Sequence, residues 1–412
     1  MIDDAAELRL FLEEICSNVC RFRHAGADAI LPETVVVDQE VFLGVPAAYA
    51  DIRVAAPGCP PYFVEVKYGY TAEQIVESLH RKYGPRVPLA AGHDRIVVVV
   101  DRAAYRDWPA IEAAVRGGLG HGLRLEVWDE GRLLELLAEL FAVHLDSLSA
   151  DRLLDAREAI DRAKGAYAFG AERTDDALER SLLWHFGFWR LRNLRERRGL
   201  GKRDIIPPGT YRDVAVLYAD MCSFSSYVRD TLDKRVIHTS LTAFYAKARY
   251  QIINSGGLLY QFLGDGVIGL FGLPDRMPGF AAPALRCAHA LVEMGRSIAT
   301  EWQRRIDRVQ AAEGVHIGMA VGDLEIMSLR PFGRAHMGAI GDCINMAARL
   351  CGVAGPSEVV VSNTFFRHLD PPVQARFVEL EPVDARNVGR IRAWRLPLRD
   401  VSRLQLDLSD DA

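Results

Sequence analysis

The sequence predicts an α/β domain with a mixed sheet, followed by an α+β domain. Three observations carry that expectation. Strand-like and helix-like segments alternate over the first third of the chain around RIVVVV (95–100), an apolar run typical of a strand buried on both faces. The stretch Leu258–Leu270, LLYQFLGDGVIGL, runs apolar to Gly264-Asp265-Gly266 and resumes at once, as two short strands on a tight turn do. A second apolar strand, Asp213–Asp220 (DVAVLYAD), ends on an Asp, so two strand-end carboxylates on one sheet can share divalent cations.

Composition bounds the function classes. A chain of 412 residues, half of them hydrophobic, is expected to hold two domains, or three, with ordinary cores. A net charge of −5 and a pI near 6.2 give no global attraction to nucleic acid or anionic membrane. No apolar run approaches the ~20 residues of a membrane span. The N-terminus, MIDDAAELRLFLEEICSNV, reads as an acidic helix rather than a signal peptide, so a cytoplasmic protein is expected. The cysteines (16, 20, 59, 222, 287, 343, 351) are scattered among apolar positions and read as reduced, mostly buried thiols.

Residues 1–20 place Leu8, Phe11, Leu12, Ile15, Cys16 and Val19 on one helical stripe. Strand-like pieces follow at 34–37, 50–54 and 62–66, the last two separated by Pro57-Gly58-Cys59-Pro60-Pro61. An amphipathic helix at 72–83, the apolar strand at 95–100, a helix at 108–115, a strand at 124–127 and a helix at 131–141 complete a small α/β domain. With Asp51 on one strand and Glu65-Val66-Lys67 on the next, residues 5–145 resemble the restriction-endonuclease-like fold. That resemblance implies Mg²⁺ between Asp51 and Glu65, with Glu13 as a further ligand, and Lys67 on the same face activating a water. The same residues also suit a cross-strand charge pair without catalysis. A sensor or regulatory module over 1–145, binding an activating signal, is favoured over a second enzyme.

Residues 146–210 read as a helical linker. Helices are expected at 151–164 and 176–197; the second carries Trp184, Phe186, Phe188 and Trp189 and runs into the basic stretch 190–203. It serves either as a packed hydrophobic helix or as a dimerising, signal-relaying one. Pro207-Pro208-Gly209 closes the linker.

From Asp213 the segments order as strand, short helical turn, long helix (236–255), hairpin (258–272), long helix (280–312) and strand (315–321). A Gly-rich crossing (322–333), a segment at 335–340, a helix at 342–353 and strands at 358–361, 376–381 and 389–396 finish the chain. The core βαββαβ order is ferredoxin-like. These segments, over 211–397 within a domain placed at 211–400, resemble the catalytic domain of class III nucleotide cyclases. Asp220 in YADMCSFS and Asp265 in LGDG match the family's two metal aspartates, and Met221 adjoins the first. The helix GDCINMAARL places Asn345 and Arg349 as the family's transition-state residues, and Arg386 falls where the family has a Lys for the terminal phosphates. The resemblance implies two divalent cations, Mn²⁺ or Mg²⁺, a nucleoside triphosphate substrate, and a homodimer with composite sites.

The chemistry of these residue types agrees. Cyclisation is attack of the ribose 3′ oxygen on the α-phosphorus with loss of pyrophosphate. Two metals held by aspartates lower the pKa of that hydroxyl and neutralise the triphosphate. The N–H groups of Met221, Cys222, Ser223 and Phe224, opening a helix, are expected to meet phosphate. Asn345 and Arg349, spaced i, i+4, share one helix face. The amide suits ribose and the guanidinium suits charge developing on phosphate.

The base pocket departs from the purine cyclases. Where adenylate cyclases carry a Lys four residues before the second metal Asp, this chain has Gln261; where they carry Asp or Thr seven before the Asn, it has Gly338. The guanylate pair is absent too. Tyr260 lies beside Gln261, and strand alternation can turn it to the other face. Gln261 offers a donor and an acceptor for the N3/C4 edge of a pyrimidine. The PPGTYRDVAVLYADM run with this pocket resembles the pyrimidine cyclases of bacterial antiphage defence, which implies cyclic UMP, or less readily cyclic CMP, as a messenger for a separate effector protein. A purine cyclase with a rearranged pocket, a degenerate cyclase used as a binding module, and an N-terminal nuclease regulated by the second domain are the alternatives.

Overall fold

The computed structural model describes residues 4–25, 31–87, 92–120, 122–274, 279–306, 308–310, 312–329, 336–385, 389–399 and 401–403. The chain forms two compact units. One takes the described residues through Ala171 together with 401–403; the other takes the described residues from Glu172 to 399.

The first unit contains α1 (Asp4–Ala25), β1 (Val36–Phe42), β2 (Tyr49–Ala56), β3 (Cys59–Val66), α2 (Ala72–Tyr83), β4 (Arg95–Val99), α3 (Trp108–Gly118), β5 (Arg124–Trp128), α4 (Glu130–Phe141) and α5 (Leu153–Phe169). The sheet order is β1-β2-β3-β4-β5, antiparallel from β1 to β3 and parallel from β3 to β5, so it is mixed. Burial of β4 on both faces explains its uninterrupted apolar sequence. Phe63, Ile75, Leu79, Tyr83, Ile96, Val98 and Trp108 share its core. Thr71 and Gln74 form a reciprocal capping box that starts α2. Of the stretch expected to separate β2 and β3, Pro57 and Gly58 form the turn, while Cys59, Pro60 and Pro61 already belong to β3. Ala56 pairs with Cys59 across a turn with Gly58 at φ +72°, and Pro60 and Pro61 begin β3 before its ladder to β4 starts at Tyr62. Their missing N–H groups therefore cost nothing.

The second unit contains α6 (Ala177–His185), α7 (Phe188–Arg198), β6 (Gly209–Met221), α8 (Phe224–Asp230), α9 (Lys234–Asn254), β7 (Leu258–Leu263), β8 (Gly266–Phe271), α10 (Ala281–Ile306), β9 (Val315–Leu329), β10 (His336–Ile340) and α11 (Asp342–Cys351). It ends with β11 (Glu358–Ser362), the short helices α12 (Asn363–Arg367) and α13 (Pro371–Gln374), β12 (Val378–Glu379), β13 (Val383–Ala385), β14 (Gly389–Ile391) and β15 (Ala393–Pro397). Its main sheet has the order β12-β15-β11-β9-β6-β8-β7, with β10 paired to β9.

Two sequence expectations change here. The single helix over 176–197 is broken between His185 and Phe188. Gly187 sits in extended geometry at φ −69°, ψ 137°, and a Cβ there would meet the Trp189 ring at 2.9 Å. Burial of Phe186, Phe188 and Trp189 together favours the bend over one straight stripe. The Gly-rich crossing at 322–333 is β9 itself as far as Leu329, because Gly322 and its neighbours pair with β6 and β10.

Glycines set the layers. Gly318 on β9 faces α11 so closely that a Cβ would lie 2.0 Å from Ala347 O. On the opposite face, a Cβ on Gly295 of α10 would lie 2.5 Å from Val315, and one on Gly269 of β8 would touch Ile252 of α9 at 3.2 Å. Helices α9 and α10 therefore cover one face of the sheet and α11 the other.

Candidate active site

Strand pairing assembles the carboxylates. Asp220 is opposite Gly266 on β8 and opposite His316 on β9, so Asp220, His316 and Gly318 share the α11 face. The hairpin closes with Leu263 opposite Gly266, which leaves Gly264 and Asp265 as the turn; Gly264 has φ +61°. A side chain at Gly266 would collide with this arrangement, since its Cβ would stand 2.9 Å from Asp220 Oδ1. Glycine there keeps open the cradle beside Asp220. Burial, and then the charge of Asp220, raise the Asp265 carboxyl from its ordinary value; a backbone hydrogen bond and His316 oppose them. His316 Nε2 stands 3.5 Å from Asp220 Oδ2. Among the described residues neither carboxylate has a lysine or arginine partner.

This pair fits divalent cations. Two adjacent carboxylates without an ammonium or guanidinium, one of them raised by the other's charge, form a site that a cation relieves. Among the described residues no group of three or more His, Cys, Asp or Glu side chains comes together as a metal site, so other oxygens must complete the coordination.

The segment after Asp220 differs from the sequence expectation. Met221 still belongs to β6, and its N–H donates to Asp265 O at 3.3 Å. Cys222 N–H donates to Gly314 O at 2.9 Å, and burial followed by the Asp220 charge pushes its thiol up to about 12. The strand thus consumes two N–H groups expected to meet phosphate. Ser223 turns the chain at φ 56°, ψ 22°, and Phe224 begins α8.

Asn345 and Arg349 both lie exposed on α11, whose buried face is Cys343, Ala347, Leu350 and Cys351. Cys351 Sγ approaches His316 O at 3.3 Å, so the end of this helix reaches the strand beside Asp220. Arg386 lies outside the described residues.

A β-bulge on β7 changes the base pocket. Leu259 pairs with Gly269 and Gln261 with Ile268, so Tyr260 is an inserted residue. Alternation fails there and does not simply turn Tyr260 away. Its hydroxyl accepts a hydrogen bond from Ala339 N at 3.0 Å, next to buried Gly338 on β10. Tyr260 and Gly338 are thereby neighbours. The sequence held no turn residue to mark this bulge.

The first unit brings Asp51, Glu65 and Lys67 together, with two further residues. Lys67 Nζ lies 3.0 Å from Asp51 Oδ2 and 2.5 Å from Glu65 Oε2. Lys82 Nζ from α2 lies 2.9 Å from Asp51 Oδ1 and 2.6 Å from Glu65 Oε2. Tyr83 donates to Glu65 Oε1, and Val66 N donates to Asp51 Oδ2 at 2.8 Å. Burial alone would lower the Lys67 pKa; Asp51 and Glu65 outweigh it and hold it well above the ordinary value. Two ammoniums thus balance two carboxylates. A divalent cation does not fit between the carboxylates without displacing a lysine, so the implied Mg²⁺ site is instead a closed ion cluster. Lys82 had one sequence signal: it falls on the buried face of α2 with Ile75, Leu79 and Tyr83, where a lysine needs a partner. Glu13 is buried on α1.

Comparison with known proteins bears on the second unit. The family described as adenylate and guanylate cyclase catalytic domain matches residues 206–397. An uncharacterized protein of Mycobacterium tuberculosis is 28% identical over 171 residues, 41% of this chain and 28% of that protein. Another, of Mycobacterium bovis, is 30% identical over 160 residues, 39% of this chain and 26% of that protein. The chain therefore matches less than a third of the length of these relatives. Among solved structures, the adenylyl cyclase CyaB of P. aeruginosa is 17% identical over 45% of this chain and 94% of its own, with a TM-score of 0.39. The catalytic core of a rhodopsin-guanylyl cyclase with converted specificity, in complex with ATPαS, is 19% identical over 46% of this chain and 96% of its own, also at 0.39. Among the described residues no helix is long and apolar enough to cross a membrane.

Proposed function

We propose, from the premise that residues 206–397 are an adenylate/guanylate-class nucleotide cyclase catalytic domain, that this chain cyclises a pyrimidine nucleoside triphosphate, UTP before CTP. The observation that carries the pyrimidine reading is the Tyr260 hydroxyl on Ala339 N–H, beside Gly338. A phenol inserted by a bulge next to Gln261 would leave less room for a two-ring base, and neither purine-reading side chain is present at 261 and 338. A mis-paired purine would leave buried polar groups without partners, a discrimination of roughly 10⁴–10⁵.

Each residue has a task. Asp220 and Asp265 would hold two divalent cations, Mn²⁺ or Mg²⁺, with the Met221 backbone beside them. Those cations would neutralise the triphosphate and acidify the 3′ hydroxyl. Gln261 reads the N3/C4 edge of the base. Asn345 orients the ribose, and Arg349 stabilises charge on the α-phosphate oxygens as pyrophosphate leaves. The exposure of Asn345 and Arg349 supports a homodimer in which they serve the aspartates of a second copy. The cyclic product would act as a messenger on a separate effector in antiphage defence, with the first unit receiving the activating signal.

Incubation of the purified chain with Mn²⁺ and each of the four nucleoside triphosphates tests the substrate. Cyclic UMP or cyclic CMP is expected. Cyclic AMP or cyclic GMP as sole product contradicts the pyrimidine reading and leaves a purine cyclase with an atypical pocket. With a pyrimidine product from the parent, Tyr260→Ala should admit purines that the parent rejects.

A further inference from the structure

Helices α6 and α7 hold the hairpin that carries Gln261 and Asp265. Arg190 on α7 donates through Nη1 to Gly256 O and, at 3.3 Å, to Gly257 O, just before β7; through Nη2 it donates to Leu273 O, just after β8. One guanidinium thus ties both ends of the hairpin. His185 on α6 hydrogen-bonds through Nδ1 to Leu259 O at 2.5 Å, covering β7 where the sheet has its edge. The contacts continue to the tip. Arg249 on α9 donates to Leu183 O and Trp184 O and lies over the Trp184 ring at 5.1 Å. Trp184 meets Phe262 edge-on at 6.2 Å, Phe262 stacks on Tyr245 at 4.4 Å, and the Tyr245 hydroxyl donates to Gly264 O, next to Asp265.

The chemistry of the root is specific to arginine. A planar guanidinium has five donors in a fixed fork and can reach carbonyls from two segments; an ammonium cannot hold the same geometry. Burial, then the nearby Arg198, lower the Arg190 pKa to about 10, which leaves it charged at neutral pH. Catalysis by positioned ligands is sensitive to displacement: about 1 Å costs on the order of 10²-fold.

We propose that Arg190 and His185 are positioning residues for cyclisation, fixing the root and edge of the β7–β8 hairpin so that the segment preceding β6 sets where Asp265 and Gln261 stand. The inference rests on the cyclase reading of the same hairpin. Two readouts on the full chain separate their fates. The first is amide hydrogen exchange over 258–271, which needs no activity. Arg190→Met should speed exchange there by about 10- to 100-fold while β9 and β11 are unchanged, with Arg190→Lys in between. Unchanged exchange in the hairpin, or equal acceleration throughout the unit, overturns the proposal. The second is turnover of UTP against Mn²⁺ concentration. Arg190→Met should lower kcat and raise the half-activating Mn²⁺ concentration, each about tenfold, with partial recovery in Arg190→Lys. An unchanged Mn²⁺ requirement overturns it. If the parent chain turns over no triphosphate, the cyclase reading fails and the exchange result alone decides the clamp. If Arg190→Met does not fold, His185→Phe carries the test, with faster exchange centred on Leu259 expected and an unchanged profile contradicting it.

Discussion

The chain holds two carboxylate pairs on strands, and they are built oppositely. In the first unit Glu65 is buried and Asp51 half-buried, and two lysines each bridge both of them. Asp220 and Asp265 in the second unit adjoin a glycine cradle and have, among the described residues, no lysine or arginine partner. The first pair is closed by its own counter-charges. The second keeps an excess negative charge that a cation can neutralise. The residue types alone do not distinguish a metal site from a structural ion cluster; what decides is whether the fold brings its own cations.

The largest expected effect is at the open pair. Asp220→Ala or Asp265→Ala should lower product formation by at least about 10³-fold without loss of fold or of any dimer, read by turnover beside thermal melting and light scattering. Retained turnover in either variant would refute the two-metal assignment. Next comes the closed pair. Lys82→Met leaves buried Glu65 and half-buried Asp51 short of one ammonium and should destabilise the first unit by about 3–5 kcal/mol in chemical denaturation. A loss below about 1 kcal/mol would mean the cluster is hydrated and open to other cations. The smallest effect has the opposite sign. Asp265→Asn removes like-charge repulsion, so in chelator its Tm should equal or slightly exceed that of the parent. A clearly lower Tm would mean that the Asp265 charge has a structural partner.

Much of this was legible from residues with a local cause. Glycines on both sides of Asp265 announced the hairpin, and RIVVVV announced a central strand. The i, i+4 spacing of Asn345 and Arg349 put both on the outer face of α11. What was not legible depended on distant partners. Gly187 breaks a helix because Phe186, Phe188 and Trp189 are buried together, yet their spacing also suits one helix. The bulge at Tyr260 is set by pairing with β8, and the lost N–H groups of Met221 and Cys222 by acceptors at Asp265 and Gly314. Lys82 lies on the buried face of α2, but its two carboxylates come from β2 and β3, which the pattern of the helix alone does not reveal.

Bound Mn²⁺, counted by electron paramagnetic resonance with 3′-deoxy-UTP present, tests the contrast most directly. The parent chain and Asp51→Asn should bind the same number of ions, and Asp265→Ala should lose them. Full binding in Asp265→Ala, or reduced binding in a folded Asp51→Asn, would contradict the assignment of the metal site to the second unit.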